Sequence, residues 1–417
     1  MTKICILTEG CTYNKSDSEV MAGLLREAGF EITRVNDADI VIFNTCIVKG
    51  PTVAAARRKL KELKKKNKTV IVAGCIAQAE PEWVKGYSLI GVDQIHDIVQ
   101  VVEETLNDNT VTLIASANEK RLNLPKARTN KLIEIIPICK GCLGNCAYCK
   151  TKSARGNLFS YKPEEIIKQA RTAVEQGVKQ IWLTAQDTGC YGKDININLP
   201  ELVKQITKLE GDFMIRIGMM NPNHAREFLQ DIIKVYKHPK VFKFLHLPLQ
   251  SGSDEILMKM KRKYCVQDFI NIVELFRKEI PEISIATDVI CGFPTETKQQ
   301  FEETLKLIEK IQPDVVNISK FWKMPGTEAA EMPQVTGAEI KDRSSRVASL
   351  FEWISNQKNK QWIGWAGDVV FDEYIEGASL GRNYCYKPVQ VDGNHLGEKR
   401  RVKITKNTIY SLFGEVV

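Results

Sequence analysis

Cys142-Leu-Gly-Asn-Cys146-Ala-Tyr148-Cys149 sets three cysteines at C-x3-C-x2-C spacing, with an aromatic residue directly before the last. Three soft thiolates on one short loop suit three irons of a four-iron cluster and leave the fourth iron open to a substrate. The same sulfurs fit two other centres. Counting Cys139, the segment becomes C-x2-C-x3-C-x2-C, enough for a closed zinc site; zinc ribbons, however, separate their pairs by about 12–20 residues. A bacterial ferredoxin run has the order C-x2-C-x2-C-x3-C-P, whereas here the longer gap comes first and Lys150 follows. A ferredoxin would close the last corner with a fourth cysteine; an open iron does chemistry.

The loop is fed by Leu132–Ile138, the first of six strand-like runs. The others are Gln180–Thr184, Phe213–Gly218, Phe242–Leu247, Ile283–Ile290 and Val315–Lys320. Helical patterns separate them: Pro163–Gln176, with Pro at its first turn and Gly177 past its end, then Glu227–Tyr236, Gln267–Lys278 and Thr297–Ile311. Six βα units predict a parallel barrel or partial barrel, with its active face beyond the C-terminal ends of the strands. Gln186 and Asp187, Asn221, Gln250 and Ser251, and Asp288 cluster there with the cysteine loop.

Upstream, residues 1–118 alternate strand and helix as an open parallel α/β sheet. Ile4–Leu7, Ile40–Phe43 and Thr69–Ala73 are apolar strands, a basic helix runs from about Thr52 to Lys66, and Ser16-Asp-Ser-Glu19 is a capping box opening a helix that ends at Gly29. Cys11, Cys46 and Cys75 each fall just past one of these strands, on the edge where such sheets bind ligands. Buried structural cysteines are common, but placement in loops favours a second metal site. Residues 119–131, polar, basic and broken by Pro125, read as a linker to a 132–335 barrel domain. A connecting helix covers 336–363, and 364–417 forms a small β-barrel from Val369–Phe371, Tyr386–Val391, Arg401–Ile404 and Thr408–Leu412.

Composition sets bounds. The 417 residues carry a net charge of +8, are 43% hydrophobic and include twelve cysteines. No apolar run is long enough to span a membrane, and the chain opens on a strand rather than a signal peptide, so the cysteines point to metal or redox chemistry in a reducing, cytoplasmic setting. With five histidines and no evident triad, acid–base or nucleophilic hydrolysis is not indicated. Basic clusters at Arg57–Lys61, Lys64–Lys66 and Lys399, Arg400, Arg401 and Lys403 suit phosphates, although Lys runs are also ordinary solvated faces.

C-x3-C-x-aromatic-C on the first barrel loop is similar to the radical S-adenosylmethionine (radical SAM) signature. Together with three cysteines in an N-terminal domain and a terminal β-domain, the whole chain resembles the methylthiotransferases. The resemblance implies a radical SAM partial (βα)6 barrel, two 4Fe-4S clusters, S-adenosyl-L-methionine and a TRAM-like RNA-binding domain. On it, Cys142, Cys146 and Cys149 bind the radical-generating cluster and Cys11, Cys46 and Cys75 the auxiliary one. Tyr148, Gln186, Asp187, Arg216, Asn221, Gln250 and Asp288 match cofactor-binding motifs. The implied reaction uses one S-adenosylmethionine to methylate a cluster-borne sulfur. A second, reductively cleaved, removes hydrogen from carbon 2 of an adenine.

The family divides among isopentenyladenosine in tRNA, threonylcarbamoyladenosine in tRNA and an aspartate of a ribosomal protein. Thr8-Glu-Gly-Cys-Thr-Tyr-Asn14, Cys149-Lys-Thr-Lys-Ser-Ala-Arg-Gly156, Trp182-Leu-Thr184 and Gly218-Met-Met-Asn-Pro222 look closest to the archaeal and eukaryotic threonylcarbamoyladenosine type. The implied partners are the tRNA anticodon stem-loop, a reductant such as flavodoxin or ferredoxin, and a sulfur donor, with no membrane. The hydrophobic C-terminal tail of some animal members is missing. A non-catalytic iron–sulfur RNA-binding protein is the alternative of a different class.

Overall fold

The N-terminal strands assemble into one parallel sheet: β1 (Lys3–Thr8), β2 (Glu31–Ile32), β3 (Ile40–Thr45), β4 (Thr69–Gly74), β5 (Ser88–Ile90) and β6 (Thr112–Leu113), in the order β2-β1-β3-β4-β5-β6. This is a computed structural model, and it describes residues 1–116 and 121–417. β3 is buried along its whole length, as a central parallel strand must be. Helices α1 (Thr12–Glu27), α2 (Gly50–Lys65), α3 (Cys75–Ala79) and α4 (Ile98–Leu106) connect the strands. One core carries Leu60 and Leu63 of α2, and a second carries Met21 and Leu25 of α1 with Val101 and Val102 of α4.

The expected capping box is not a cap. α1 begins five residues earlier, with Cys11 as its N-cap, and Ser16 to Glu19 lie buried inside it. Ser16 Oγ donates to the Ile135 carbonyl at 3.2 Å, Asp17 pairs with Arg121 and Arg155, and Glu19 accepts from the Thr129 N–H at 3.0 Å. Partners distant in sequence, in the 121–131 stretch, β7 and the end of the cysteine loop, claim these polar groups and override the local signal.

The central strands are β7 (Ile133–Pro137), β8 (Cys139–Lys140), β9 (Phe159–Ser160), β10 (Gln180–Thr184), β11 (Met214–Ile217), β12 (Phe244–His246), β13 (Ser284–Cys291) and β14 (Val315–Lys320). β7, β10 and β11 form one parallel arc and β12, β13 and β14 another, joined by the Ile215–Val241 bridge. The arcs follow chain order, giving the expected six-stranded partial barrel. Ile181, Leu183, Ile215, Ile217, Leu245 and Ile285 pack into the core shared with the surrounding helices; by alternation Trp182, Arg216, His246 and Asp288 face the lumen. The antiparallel pair β8–β9 closes the cysteine loop at its base.

The 118/119 boundary lies outside the described residues, and 121–131 are pinned. Arg121 is buried against Asp17, Leu122 joins the barrel core, and Lys126 pairs with Glu134 at 2.7 Å. Buried acids on α1 and β7 hold this basic stretch, which composition alone presents as solvated.

The helix Gly337–Lys360 leads into a closed barrel of β15 (Ala366–Ile375), β16 (Ala378–Asn383), β17 (Pro388–Asp392), β18 (Lys399–Asn407) and β19 (Leu412–Val416), ordered β15-β16-β17-β19-β18. β16, Ala-Ser-Leu-Gly-Arg-Asn, lacks the β-branched residues that announce a strand. The last strand starts where the expected Thr408–Leu412 run ends. This small barrel docks on the N-terminal ends of the central strands. Tyr386 packs on Phe242 and Phe244 with ring centroids 4.9 and 5.0 Å apart, and Gln180 donates to Asp372.

Candidate active site between two cysteine groups

The loop 141–158 is built to hold its sulfurs still. Gly141 has φ of +72°, and a Cβ there would strike the Asn157 carbonyl across the loop base. Its N–H donates to Gln186 Oε1 at 2.7 Å. The Gly144 N–H donates to Cys142 Sγ at 3.1 Å, and a Cβ on Gly144 would sit between the sulfurs of Cys142 and Cys146. Arg262 donates to Cys146 Sγ at 3.0 Å and to Asn221 Oδ1. All three cysteines remain partly exposed. Burial, and Asp187 nearby, push the Cys142 thiol up to about 12, so the thiolate form calls for cationic ligands. Cys139, the fourth sulfur of the zinc alternative, is fully buried and turned to the Asp187 carbonyl at 3.8 Å.

Asp187 is fully buried. Its carboxylate accepts from the backbone N–H groups of Gly189 and Asn221 at 3.0 and 3.1 Å and from Asn221 Nδ2 at 2.6 Å. Asp187, Asn221 and Arg262 thus form a chain ending on Cys146. Tyr148 packs edge-on against Phe293 at 6.4 Å, with its hydroxyl 3.5 Å from Arg262. Ala147, Phe293, Phe321 and Met260 form an apolar cluster beside this loop. The structure therefore brings Cys142, Cys146, Cys149, Tyr148, Gln186, Asp187 and Asn221 together.

Asp288 belongs to a separate lumen group, 2.9 Å from both His246 Nε2 and Asn317 Nδ2. Burial alone would raise its carboxyl, but His246 and Asn317, with Lys49 farther off, hold it below the usual range. Gln250 adopts φ of +68° and bridges β13 through its backbone, its N–H donating to the Asp288 carbonyl at 2.8 Å. Arg216 lies elsewhere, with Trp182, Phe244 and Tyr386 rings at 5.2, 5.5 and 5.3 Å and its Nε without a hydrogen-bond partner among the described residues. It faces the C-terminal barrel and not the cysteine loop. Sequence reasoning missed Arg262 and Asn14; a lysine-rich run conceals the first, and nothing local marks the second.

In the N-terminal sheet, β1, β3 and β4 are neighbours and their following loops bring Cys11, Cys46 and Cys75 together. Asn14 Oδ1 is 3.9 Å from Sγ of both Cys11 and Cys75, while its Nδ2 donates to the carbonyls of Glu9 and Thr45 at 3.0 and 2.8 Å. Gly10, at φ of +104°, lies so close to Cys46 that a Cβ would meet its Sγ. Burial and the neighbouring cysteines push the Cys46 thiol up to about 12. Among the described residues, no three His, Cys, Asp or Glu side chains are placed to hold a single metal ion. A four-iron cluster gives each thiolate its own iron, so its sulfurs need not converge on one point. Three thiols and a buried guanidinium N–H without an acceptor, on Arg155, fit such an anionic group.

The two sites belong to one assembly. The helix α5 (Thr151–Arg155), which leaves the Cys142–Cys149 loop, packs on α3, whose first residue is Cys75. Lys150 pairs with Glu80 at 2.7 Å, and Gly50 packs on the Trp322 ring so closely that a Cβ would collide.

On the terminal barrel, Lys399, Arg400, Arg401 and Lys403 are all exposed on β18. Lys399 lies 3.5 Å from Asp212 and 3.8 Å from Asp368, and Arg400 lies 2.8 Å from Glu398. Arg401 and Lys403 have no ion pair among the described residues. No described helix is long and apolar enough to cross a membrane.

Comparison with known proteins agrees with this geometry. Residues 136–308 match the radical SAM superfamily and residues 3–90 the uncharacterized protein family UPF0004. A threonylcarbamoyladenosine tRNA methylthiotransferase of Homo sapiens is 42% identical over 100% of this chain and 74% of its own length. One of Drosophila melanogaster is 41% identical over 100% and 78%. A probable threonylcarbamoyladenosine tRNA methylthiotransferase of Pyrococcus horikoshii is 40% identical over the full length of both. Among solved structures, the radical S-adenosylmethionine methyltransferase TsrM of Kitasatospora setae superposes with a TM-score of 0.56 at 13% identity, over 79% of this chain and 77% of that one, a likeness of fold.

Proposed function

The chain belongs to the threonylcarbamoyladenosine tRNA methylthiotransferases, and on that premise we propose that it inserts a methylthio group at carbon 2 of the adenine in N6-threonylcarbamoyladenosine, at position 37 of tRNA. The observation that carries this is identity of 40–42% over alignments that cover the entire chain. Cys142, Cys146 and Cys149 would hold the cluster that S-adenosylmethionine chelates, and Cys11, Cys46 and Cys75 a second cluster. When bound, these groups supply the one-electron chemistry needed to take hydrogen from an aromatic carbon, which no acid or base on this chain can activate.

The side chains do the rest. Gln186 anchors the loop at Gly141, while Asp187 and Asn221 orient Arg262 against Cys146. Tyr148 offers its ring to the adenosyl moiety, and Gln250 and Asp288 line the polar wall. The Ala147–Phe293–Phe321 cluster keeps water from one side of the cavity. Arg216 serves the floor, with Tyr386. Arg401 and Lys403, supported by Lys399 and Arg400, take the tRNA backbone. The division into 1–118, 119–131, 132–335, 336–363 and 364–417, a flavodoxin- or ferredoxin-type reductant, a separate sulfur donor and a cytoplasmic setting complete the proposal.

The test is anaerobic reconstitution with dithionite and S-adenosylmethionine on tRNA carrying threonylcarbamoyladenosine, read by nucleoside mass spectrometry. The 2-methylthio product should appear with this tRNA and not with isopentenyladenosine tRNA. The reverse preference, or no 5′-deoxyadenosine from protein with intact clusters, rejects the assignment.

A further inference from the structure

Arg155 closes the loop that carries Cys142, Cys146 and Cys149, yet its side chain is in the other site. It is buried to 3% exposure. One nitrogen, Nη2, donates to Asn14 Oδ1 at 2.8 Å and to Asp17 Oδ2 at 2.9 Å, and the guanidinium stacks 4.3 Å over the Tyr13 ring. All three partners come from the first turns of α1, directly after Cys11. The other terminal nitrogen, Nη1, is buried and makes no hydrogen bond of ordinary geometry among the described residues, while the guanidinium as a whole lies beside the Cys75 thiol and favours its thiolate. The guanidinium acts electrostatically on Cys75, Cys11 and Cys46. A desolvated N–H without a well-placed acceptor is costly, and it marks the place of one.

We propose that Arg155 is a positioning residue of the N-terminal site: Nη1 donates to an anionic sulfur of the group held by Cys11, Cys46 and Cys75, and the guanidinium neutralises part of its charge. This rests on the reading of those cysteines as cluster ligands. The radical loop thus supplies a component of the sulfur site, a dependence that runs through six residues of chain from Cys149 to Arg155.

The full-length chain with Cys142, Cys146 and Cys149 changed to Ala isolates the N-terminal site. Reconstituted with iron and sulfide, this protein is compared with versions that also carry Arg155→Gln or Arg155→Lys, by iron content and by EPR-monitored redox titration. Losing a positive charge beside a cluster disfavours the added electron, so R155Q should shift the midpoint potential to more negative values and R155K should recover most of the shift. An R155Q potential equal to that of the parent overturns the proposal. So does R155K behaving like R155Q, since position and not charge would then be at fault. Absence of any cluster from the parent protein rejects the ligand reading itself. If R155Q instead loses the cluster altogether, R155K must retain it; loss in both makes Arg155 an interface residue and ends the proposal.

Discussion

Arg262 reaches Cys146 across 116 positions of sequence and donates to its sulfur at 3.0 Å. The same guanidinium is fixed by Asn221 and stacks 4.9 Å over Tyr264, so the donor is held in place before any cofactor arrives. A hydrogen bond to a charged group contributes about 1.5–3 kcal/mol, and tenfold in rate corresponds to about 1.4 kcal/mol. Arg262→Gln is expected to slow reductive cleavage of S-adenosylmethionine by about 10- to 100-fold. The measurement is 5′-deoxyadenosine release under dithionite, and a wild-type rate would remove Arg262 from the site.

Cys46→Ala separates the two sites. The radical loop keeps all its contacts, so 5′-deoxyadenosine should still form while the methylthio nucleoside disappears. If the variant still methylthiolates, Cys46 is not a ligand.

Gly141→Ala tests the loop base. A non-glycine residue at this φ costs about 1–3 kcal/mol, and here the Cβ also collides with the Asn157 carbonyl. The expected result is loss of iron from the radical site on gel filtration, with the N-terminal cluster retained in the same sample.

Asp372 gives the C-terminal barrel a pH dependence. Burial raises its carboxyl from 3.8 to about 6, against the pull of Arg382. Between those values the folded chain keeps a proton that the unfolded chain has released, so stability falls as pH rises through this window and stays lower above it. Asp372→Asn cannot ionise and retains an acceptor for Gln180. It should be more stable than wild type by about 2–3 kcal/mol at pH 8, with the gap closing towards pH 4. Urea unfolding at both pH values decides it; a constant difference would refute the assignment.

The four cations of β18 are not equivalent. Arg401→Ala and Lys403→Ala should each reduce the slope of log affinity against log salt for tRNA by about 1. Lys399 and Arg400 already face acids, and their removal should change the slope less. Equal effects at all four positions would argue against a defined phosphate track.

The cysteine spacing made the architecture legible because thiolate ligands must come from short loops, and short loops need strand ends to carry them. Two of the six central strands, Gln180–Thr184 and Val315–Lys320, have the expected limits. Polar residues claimed by distant partners were not legible. Ser16 to Glu19 mimic a helix start, and Arg121 and Lys126 mimic a solvated linker, because their partners lie far away in sequence. β16 escaped for want of β-branched side chains, its neighbours supplying the pairing. Arg262 was hidden in the run Lys259-Met-Lys-Arg262-Lys, where nothing separates a ligand-facing cation from a surface one.

Tyr386 stands at a residue with φ of +62°, at the tip of the turn between β16 and β17, and lies against Trp182, Phe242, Phe244 and Arg216. The terminal barrel is therefore not a detachable module. Exchanging it for the barrel of another enzyme would transplant a plug along with the exposed cations of β18, and the graft would have to fit an arginine and three rings foreign to it. One aromatic side chain couples the packing of these two parts.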